Sequence, residues 1–140
     1  MTDCSKQPTP AHFDWVTELS RCSIGSVFEE LKLQVESDVK TRTALRPDNC
    51  PYGFSMVAHE STFSVVFNQQ NIRRAVSFVM RDDLIVVKDH NNKEMLEAGL
   101  TLNDKGECRL KVKGEERELW QFRRMALEDL FFRPLPSPLQ

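Results

Sequence analysis

The chain has 140 residues, 40% of them hydrophobic and 29% charged, which is enough for one domain with an apolar core. Its formal net charge of −2 excludes the strongly basic composition that attracts many proteins to nucleic acids or anionic membranes. No stretch approaches the roughly 20 consecutive apolar residues that a membrane-spanning helix needs, so no membrane partner is expected.

The two ends of the chain are expected to be flexible. The first residues are polar, include Pro8 and Pro10, and lack the apolar segment of a secretion signal. Prolines at alternate positions follow Arg133 and favour extended backbone there. The predicted organisation is a flexible arm at residues 1–12, a single domain at 13–132 and a flexible proline-rich tail at 133–140.

The four cysteines are widely spaced, and none belongs to a Cys-x-x-Cys pair. Without an export signal, this pattern indicates free thiols rather than a disulfide framework, and it predicts a cytoplasmic protein. Cys108 alternates with Leu110 and Val112, which predicts a small buried apolar side chain in a strand.

Two helices are predicted before any strand. Asp14 can cap a short helix over Trp15–Arg21. Ser26 and Glu29 have the spacing of a capping box, and an apolar stripe follows them. The stripe consists of Phe28, Leu31, Val35 and Val39. We therefore predict a long helix from about Val27 to about Ala44.

The run from Tyr52 to Phe122 is predicted to form three consecutive antiparallel hairpins. The first turns at Glu60-Ser61 and the second at Asp82-Asp83. The third begins near Met95 and turns at Asn103-Asp104-Lys105-Gly106, where glycine suits the left-handed position of a G1-bulge loop. The expected cross-strand pairs are Phe54 with Phe67, Met56 with Val65, Ala58 with Phe63, Phe78 with Val87, Met80 with Ile85, Val79 with Val86 and Leu100 with Leu110.

A further turn at Gly114-Glu115 is predicted to start the last strand. In that register the pairs are Lys113 with Glu116, Lys111 with Glu118 and Arg109 with Trp120. A short helix from Arg123 to Phe132 closes the chain. The predicted fold class is α+β: a long N-terminal helix packed on a curved antiparallel meander sheet of about six strands, with a short C-terminal helix.

Strand alternation divides the sheet into a core face and a second face. Phe54, Met56, Phe63, Val65 and Phe67 are predicted to share the core face with the long helix. The second face is predicted to carry Ser55, Val57, His59, Thr62, Ser64, Val66, Ser77, Val79, Leu84, Val86, Arg109, Lys111 and Trp120. An apolar patch with a polar rim is typical of an interface, and Trp and Arg are common binding hot spots. The competing interpretation is that the short first helix or the terminal helix covers this face.

The candidate binding surface on the second face consists of His59, Val66, Val79, Val86, Arg109, Lys111 and Trp120. No residue pattern predicts a catalytic centre, a metal site or a cofactor. His59 beside Glu60 could act as a general base, but no orienting third group is evident. Asp89-His90 has the composition of a solvated turn and lacks metal-ligand spacing.

Three functional hypotheses follow. The leading one is a small cytoplasmic, non-catalytic binding or adaptor protein that self-associates or docks a protein partner through the second face. The alternative is a small-molecule binder or enzyme with a pocket between helix and sheet, lined by Phe and Met. A weaker alternative is single-stranded nucleic-acid binding through Arg109, Lys111 and Trp120. A half-buried His59 beside a pocket would favour the second hypothesis, and an exposed His59 the first.

Overall fold

The computed structural model describes residues 13–47, 52–69 and 72–133. The predicted arm, most of the predicted tail, Cys4 and Cys50 lie outside these ranges. The elements are α1 (Trp15–Arg21), α2 (Ile24–Leu45), β1 (Tyr52–Ala58), β2 (Thr62–Gln69), β3 (Ile72–Arg81), β4 (Leu84–Lys88), β5 (Glu94–Leu102), β6 (Cys108–Val112), β7 (Glu115–Arg117) and α3 (Leu119–Phe132). The α+β class is confirmed, and within these ranges no helix is long and apolar enough to cross a bilayer.

The seven strands form one antiparallel meander in the order β1-β2-β3-β4-β5-β6-β7. Each strand pairs with its neighbours in sequence. The predicted registers of the first two hairpins are confirmed: Phe54 lies opposite Phe67, and Phe78 lies opposite Val87. Leu100 also lies opposite Leu110, after a turn in which Gly106 has a φ of 77°.

Both long helices pack on the core face. α2 contributes Phe28, Leu31, Val35 and Val39 to the core, as the apolar stripe predicts. It packs on β1, β3 and β4, and α3 packs on β3 and β6. The fully buried Phe63 ring stacks on Phe78 at 4.7 Å and lies 5.1 Å from Phe28. Burying one such ring contributes about 1.5–3 kcal/mol, so this aromatic cluster holds the helices to the sheet.

The start of α2 differs from the prediction. The helix begins at Ile24, and the Ser23 side chain accepts a hydrogen bond from the backbone N–H of Ser26 at 3.2 Å. Ser23 is therefore the N-cap, and the capping box predicted for Ser26 and Glu29 is wrong. Two serines three residues apart offer the same local signal, and the extended backbone of Ser23 marks the actual boundary.

The last strand is much shorter than predicted. Lys113 and Gly114 both have positive φ and form the turn, so Lys111 lies opposite Glu116 and not Glu118. β7 ends at Arg117, and the backbone N–H of Glu118 donates to the Gln121 side chain at 2.8 Å as α3 begins. Trp120 therefore belongs to a helix. Its predicted position opposite Arg109 is wrong, because this reciprocal cap starts the helix four residues earlier than expected.

A disulfide joins Cys22, just after α1, to Cys108 at the start of β6. The prediction of free thiols is therefore wrong for these two residues. Cys108 shares the core side of β6 with Leu110 and Val112, as the alternation predicts, but it is exposed rather than buried. Cysteine spacing could not reveal this bond, because the two residues are 86 positions apart and meet only through the tertiary fold.

Candidate binding surfaces

The middle of the second face is already buried. Val86 is 0% exposed and Val66 is 3% exposed, while Val79 is half-buried. Val86 lies between Val79 and Glu97 on the neighbouring strands. A short β-branched side chain enclosed in this way has almost no surface to offer to a partner.

The charged residues of the second face are largely engaged within the chain. Arg109 pairs with Glu107 at 3.1 Å and with Glu118 at 3.6 Å. The hydrogen bond from Arg109 to Glu107 raises the pKa of Arg109, and hydrogen bonds from Asn103 and Arg109 lower the pKa of Glu107. Lys111 is exposed and lies opposite Glu116. Since these acidic neighbours offset the positive charge, Arg109 and Lys111 do not form an unbalanced basic strip.

The terminal helix α3 does not cover the second face, as the competing interpretation allowed, because it lies beside α2 on the core face. Trp120 is therefore on the helical side of the sheet, away from Val66, Val79 and Val86. The seven candidate residues do not come together on one surface.

The two histidine sites also have simple structural roles. His59 is exposed just after β1, and its backbone N–H donates to the Thr62 carbonyl at 2.7 Å to close the hairpin. Asp89 accepts backbone hydrogen bonds from Asn91 at 2.8 Å and Lys93 at 3.0 Å, as expected for a turn. The bond from Lys93 lowers the pKa of Asp89, and that from Asn91 adds to the effect. Among the described residues, no cluster of three or more His, Cys, Asp or Glu side chains could hold a metal ion.

An open, mostly apolar groove of about 350 Å³ lies between the two long helices. We call it the α2–α3 groove. Its walls are Asp38, Thr41, Arg42 and Leu45 from α2, and Trp120, Arg123, Arg124, Leu127, Glu128, Phe131 and Phe132 from α3. Trp120 is 50% exposed, Phe132 65% and Leu45 69%. Large apolar side chains this exposed around one groove are typical of an interface.

Polar contacts hold the two walls of the α2–α3 groove together. Arg123 binds Asp38 at 2.7 Å and also hydrogen-bonds Gln34, which ties α3 to α2. Arg42 donates to the Phe131 carbonyl at 2.8 Å. Its guanidinium also lies 5.0 Å from the Phe54 ring centre and 5.1 Å from that of Phe132. The walls are therefore fixed before any partner arrives, which lowers the entropic cost of binding.

The sequence contains a pattern that indicates this groove, but the first residue of that pattern is assigned to the last predicted strand. Trp120, Arg124, Glu128 and Phe132 recur every four residues, so they form a continuous stripe that winds about 120° around a helix. Of these four, only Trp120 belongs to the predicted binding surface, and there it is assigned to a strand. Treating Glu118 and Gln121 as a helix start reveals the stripe.

A second cavity of about 250 Å³ lies where α2 and α3 begin above β5 and β6. Leu100, Leu110 and Leu119 line it, with Arg21, Glu30, Arg117 and Glu118 among the charged residues at its edge. The pocket expected for a small-molecule binder is one lined by Phe and Met. Those Phe rings instead pack against each other in the core.

Comparison of the chain with protein-family models, curated protein sequences and solved structures finds no significant match. The fold and surface define an α+β protein with an open antiparallel meander and an exposed interhelical groove. The chemistry of this groove is therefore the basis on which a function can be proposed.

Proposed function

We propose that this protein is a non-catalytic binding protein that docks an amphipathic helix of a protein partner in the α2–α3 groove. The observation that carries the proposal is the exposure of Trp120, Phe132 and Leu45 around one cavity with fixed walls. Aromatic residues are the commonest binding hot spots, and they contribute most where a rigid pocket excludes water around them.

The shape of the α2–α3 groove favours a helix over an extended peptide. From Trp120 to Phe132 the α3 wall runs about 18 Å, which matches three turns of a docked helix. Aromatic side chains lie at both ends of this wall, and Arg124 and Glu128 lie between them. A helix with apolar residues at three- and four-residue spacing and charged residues beside them complements this order.

The other hypotheses receive less support. An exposed His59 that lines neither of the two cavities favours a binding protein over an enzyme. The 250 Å³ cavity is smaller than most ligand pockets, which hold about 300–1,000 Å³. Single-stranded nucleic acid would need Arg109 and Lys111 to offer positive charge beside Trp120, but Arg109 pairs with Glu107 and Glu118, and Lys111 lies opposite Glu116.

The cellular location is a separate part of the proposal. The sequence pattern favours the cytoplasm, whereas the Cys22–Cys108 disulfide favours an oxidising compartment. We give the disulfide more weight, because it depends on the fold and not on the lack of a motif. Counting free thiols in protein taken rapidly from its native cells, under acid quench, tests this choice.

The docking surface can be tested by photo-crosslinking in extracts of the cells that make the protein. A photo-reactive phenylalanine derivative in place of Phe132 probes the α2–α3 groove, and the same derivative in place of Val57 is the control on the second face. We expect crosslinks from position 132 only. Mass spectrometry should map them to an amphipathic helix, and Trp120→Ala should abolish them. Crosslinks from position 57 alone, or from neither position, would refute the proposal.

A further inference from the structure

The exposed side of α3 carries a stripe of four side chains whose order is self-complementary. Trp120, Arg124, Glu128 and Phe132 follow at four-residue spacing and read aromatic, positive, negative, aromatic. All four are exposed: 50% for Trp120, 65% for Phe132, and 64% and 50% for the side chains of Arg124 and Glu128. All four also line the α2–α3 groove, so one surface presents the whole pattern.

An antiparallel copy of the stripe matches the original at every position. A two-fold axis between Arg124 and Glu128, perpendicular to α3, places each Trp120 against Phe132 of the second copy. It also places each Arg124 against Glu128 of the second copy. A parallel arrangement would bring Arg124 against Arg124 and Glu128 against Glu128, which is repulsive. Only the two-fold arrangement satisfies all four positions, and it is the commonest symmetry of soluble oligomers.

Within one chain, the ion pair between Arg124 and Glu128 is weak enough to be replaced by pairs between two copies. Arg124 and Glu128 form an exposed i, i+4 pair at 3.3 Å. Such a pair is weak in water, and the order with the basic residue first is the less favourable one. In the two-fold arrangement the same four charges form two pairs between copies. These pairs are flanked by aromatic rings that exclude water, which strengthens them.

We propose that the partner helix is α3 of a second copy of this chain, so that the protein is a two-fold homodimer built on the α2–α3 groove. This inference rests on the proposed function and names its partner. Leu45 of α2, 69% exposed at the margin of the groove, then contacts the incoming helix. Four helices, two from each copy, form the interface, and the two sheets lie on the outside.

Charge reversal with rescue tests the pairing. The full-length wild type, Arg124→Glu and Glu128→Arg are analysed by sedimentation velocity over a dilution series, with circular dichroism to confirm folding. Both residues are exposed, so the variants should fold normally. We expect a wild-type dimer and at least a tenfold weaker dimer for each single variant. Mixing the two variants should restore a dimer, because the two acidic side chains of one variant then meet the two basic side chains of the other across the axis.

Lys111→Glu on the second face is the matched control and should leave the dimer unchanged. A wild type that stays monomeric at its highest soluble concentration overturns the homodimer. The homodimer is also overturned if Arg124→Glu and Glu128→Arg both still dimerise as the wild type does. It is overturned as well if mixing these two variants does not restore a dimer. The position-132 crosslink separates the two proposals. A crosslink to a different protein from a monomeric chain refutes the homodimer and supports the proposed function, whereas no crosslink and no dimer refutes both.

Discussion

The two sides of this sheet differ in which apolar side chains reach solvent. On the second face, Val66 and Val86 lie in inner strands and are almost fully buried. On the helical side, Trp120 and Phe132 project from a helix that already has its own buried face, and both remain exposed. Exposure therefore follows the size of a side chain and its place in an element, and not only the side of the sheet on which it lies.

Within one face of the sheet, the exposure of a side chain also depends on whether its strand is central or at the edge. Val57 and Val86 are both valines of the second face, yet Val57 is 44% exposed and Val86 is 0% exposed. Val57 lies in β1, at the edge of the sheet, whereas β4 is central. The middle of a wide sheet is therefore a poor place for a docking surface made of small residues, and a helix pair with long aromatic side chains is a better one.

The largest effect should come from the core beneath the helices. Phe63→Ala removes a fully buried ring that stacks on Phe78 and should lower the free energy of unfolding by about 3–5 kcal/mol. The matched change Val57→Ala, on the exposed edge, should cost less than about 0.5 kcal/mol. Urea denaturation measures both. Equal losses for the two variants would mean that the core lies elsewhere.

Removal of the disulfide should rank second. Cys22→Ser/Cys108→Ser deletes a link between residues 86 positions apart and should cost about 2–4 kcal/mol, because the unfolded chain regains its freedom. The same denaturation experiment on wild type with and without a thiol reductant should give the same loss. The double variant should be insensitive to reductant. If reductant leaves the wild-type midpoint unchanged, the link does not stabilise the fold.

A charge in the middle of the second face should have the next largest effect. Val86→Lys places an ammonium group at a position with no exposed area and should cost at least about 2 kcal/mol. Val57→Lys should be nearly neutral, since its side chain reaches water. Thermal unfolding of the two variants gives the comparison directly. A fully stable Val86→Lys would show that the second face is more open than its burial indicates.

The smallest effect concerns the turn after β4. The pKa of Asp89 is lowered from 3.8, chiefly by the hydrogen bond from the Lys93 backbone, so the folded state favours the carboxylate. Its stabilisation is present above pH 3.8, the unfolded value, and is lost as the pH falls through the lower folded value. Asp89→Asn should flatten this acid dependence and lower stability at neutral pH slightly, by the amount that the wild type loses on acidification. Urea midpoints across the acid range would reveal an unaltered slope if the interpretation is wrong.

Much of the fold was predictable from local patterns. The boundaries of α1, the pairing of Phe54 with Phe67 and the pairing of Phe78 with Val87 all followed from alternation, spacing and short turns. These features depend on residues close in sequence, and a shift of one residue would have exposed the whole apolar set. The errors at Ser26 and Trp120 arose where two local signals competed, and one hydrogen-bonded cap decided the outcome in each case.

The sequence by itself determined the α+β class, the meander order and the core side of most strands, because alternation and helical spacing are properties of the chain. Only the tertiary structure decided that Cys22 reaches Cys108, that Val86 is enclosed, and that Trp120 and Phe132 border one groove. Each of these depends on how far apart packed elements lie, and no pattern within a single segment specifies that distance.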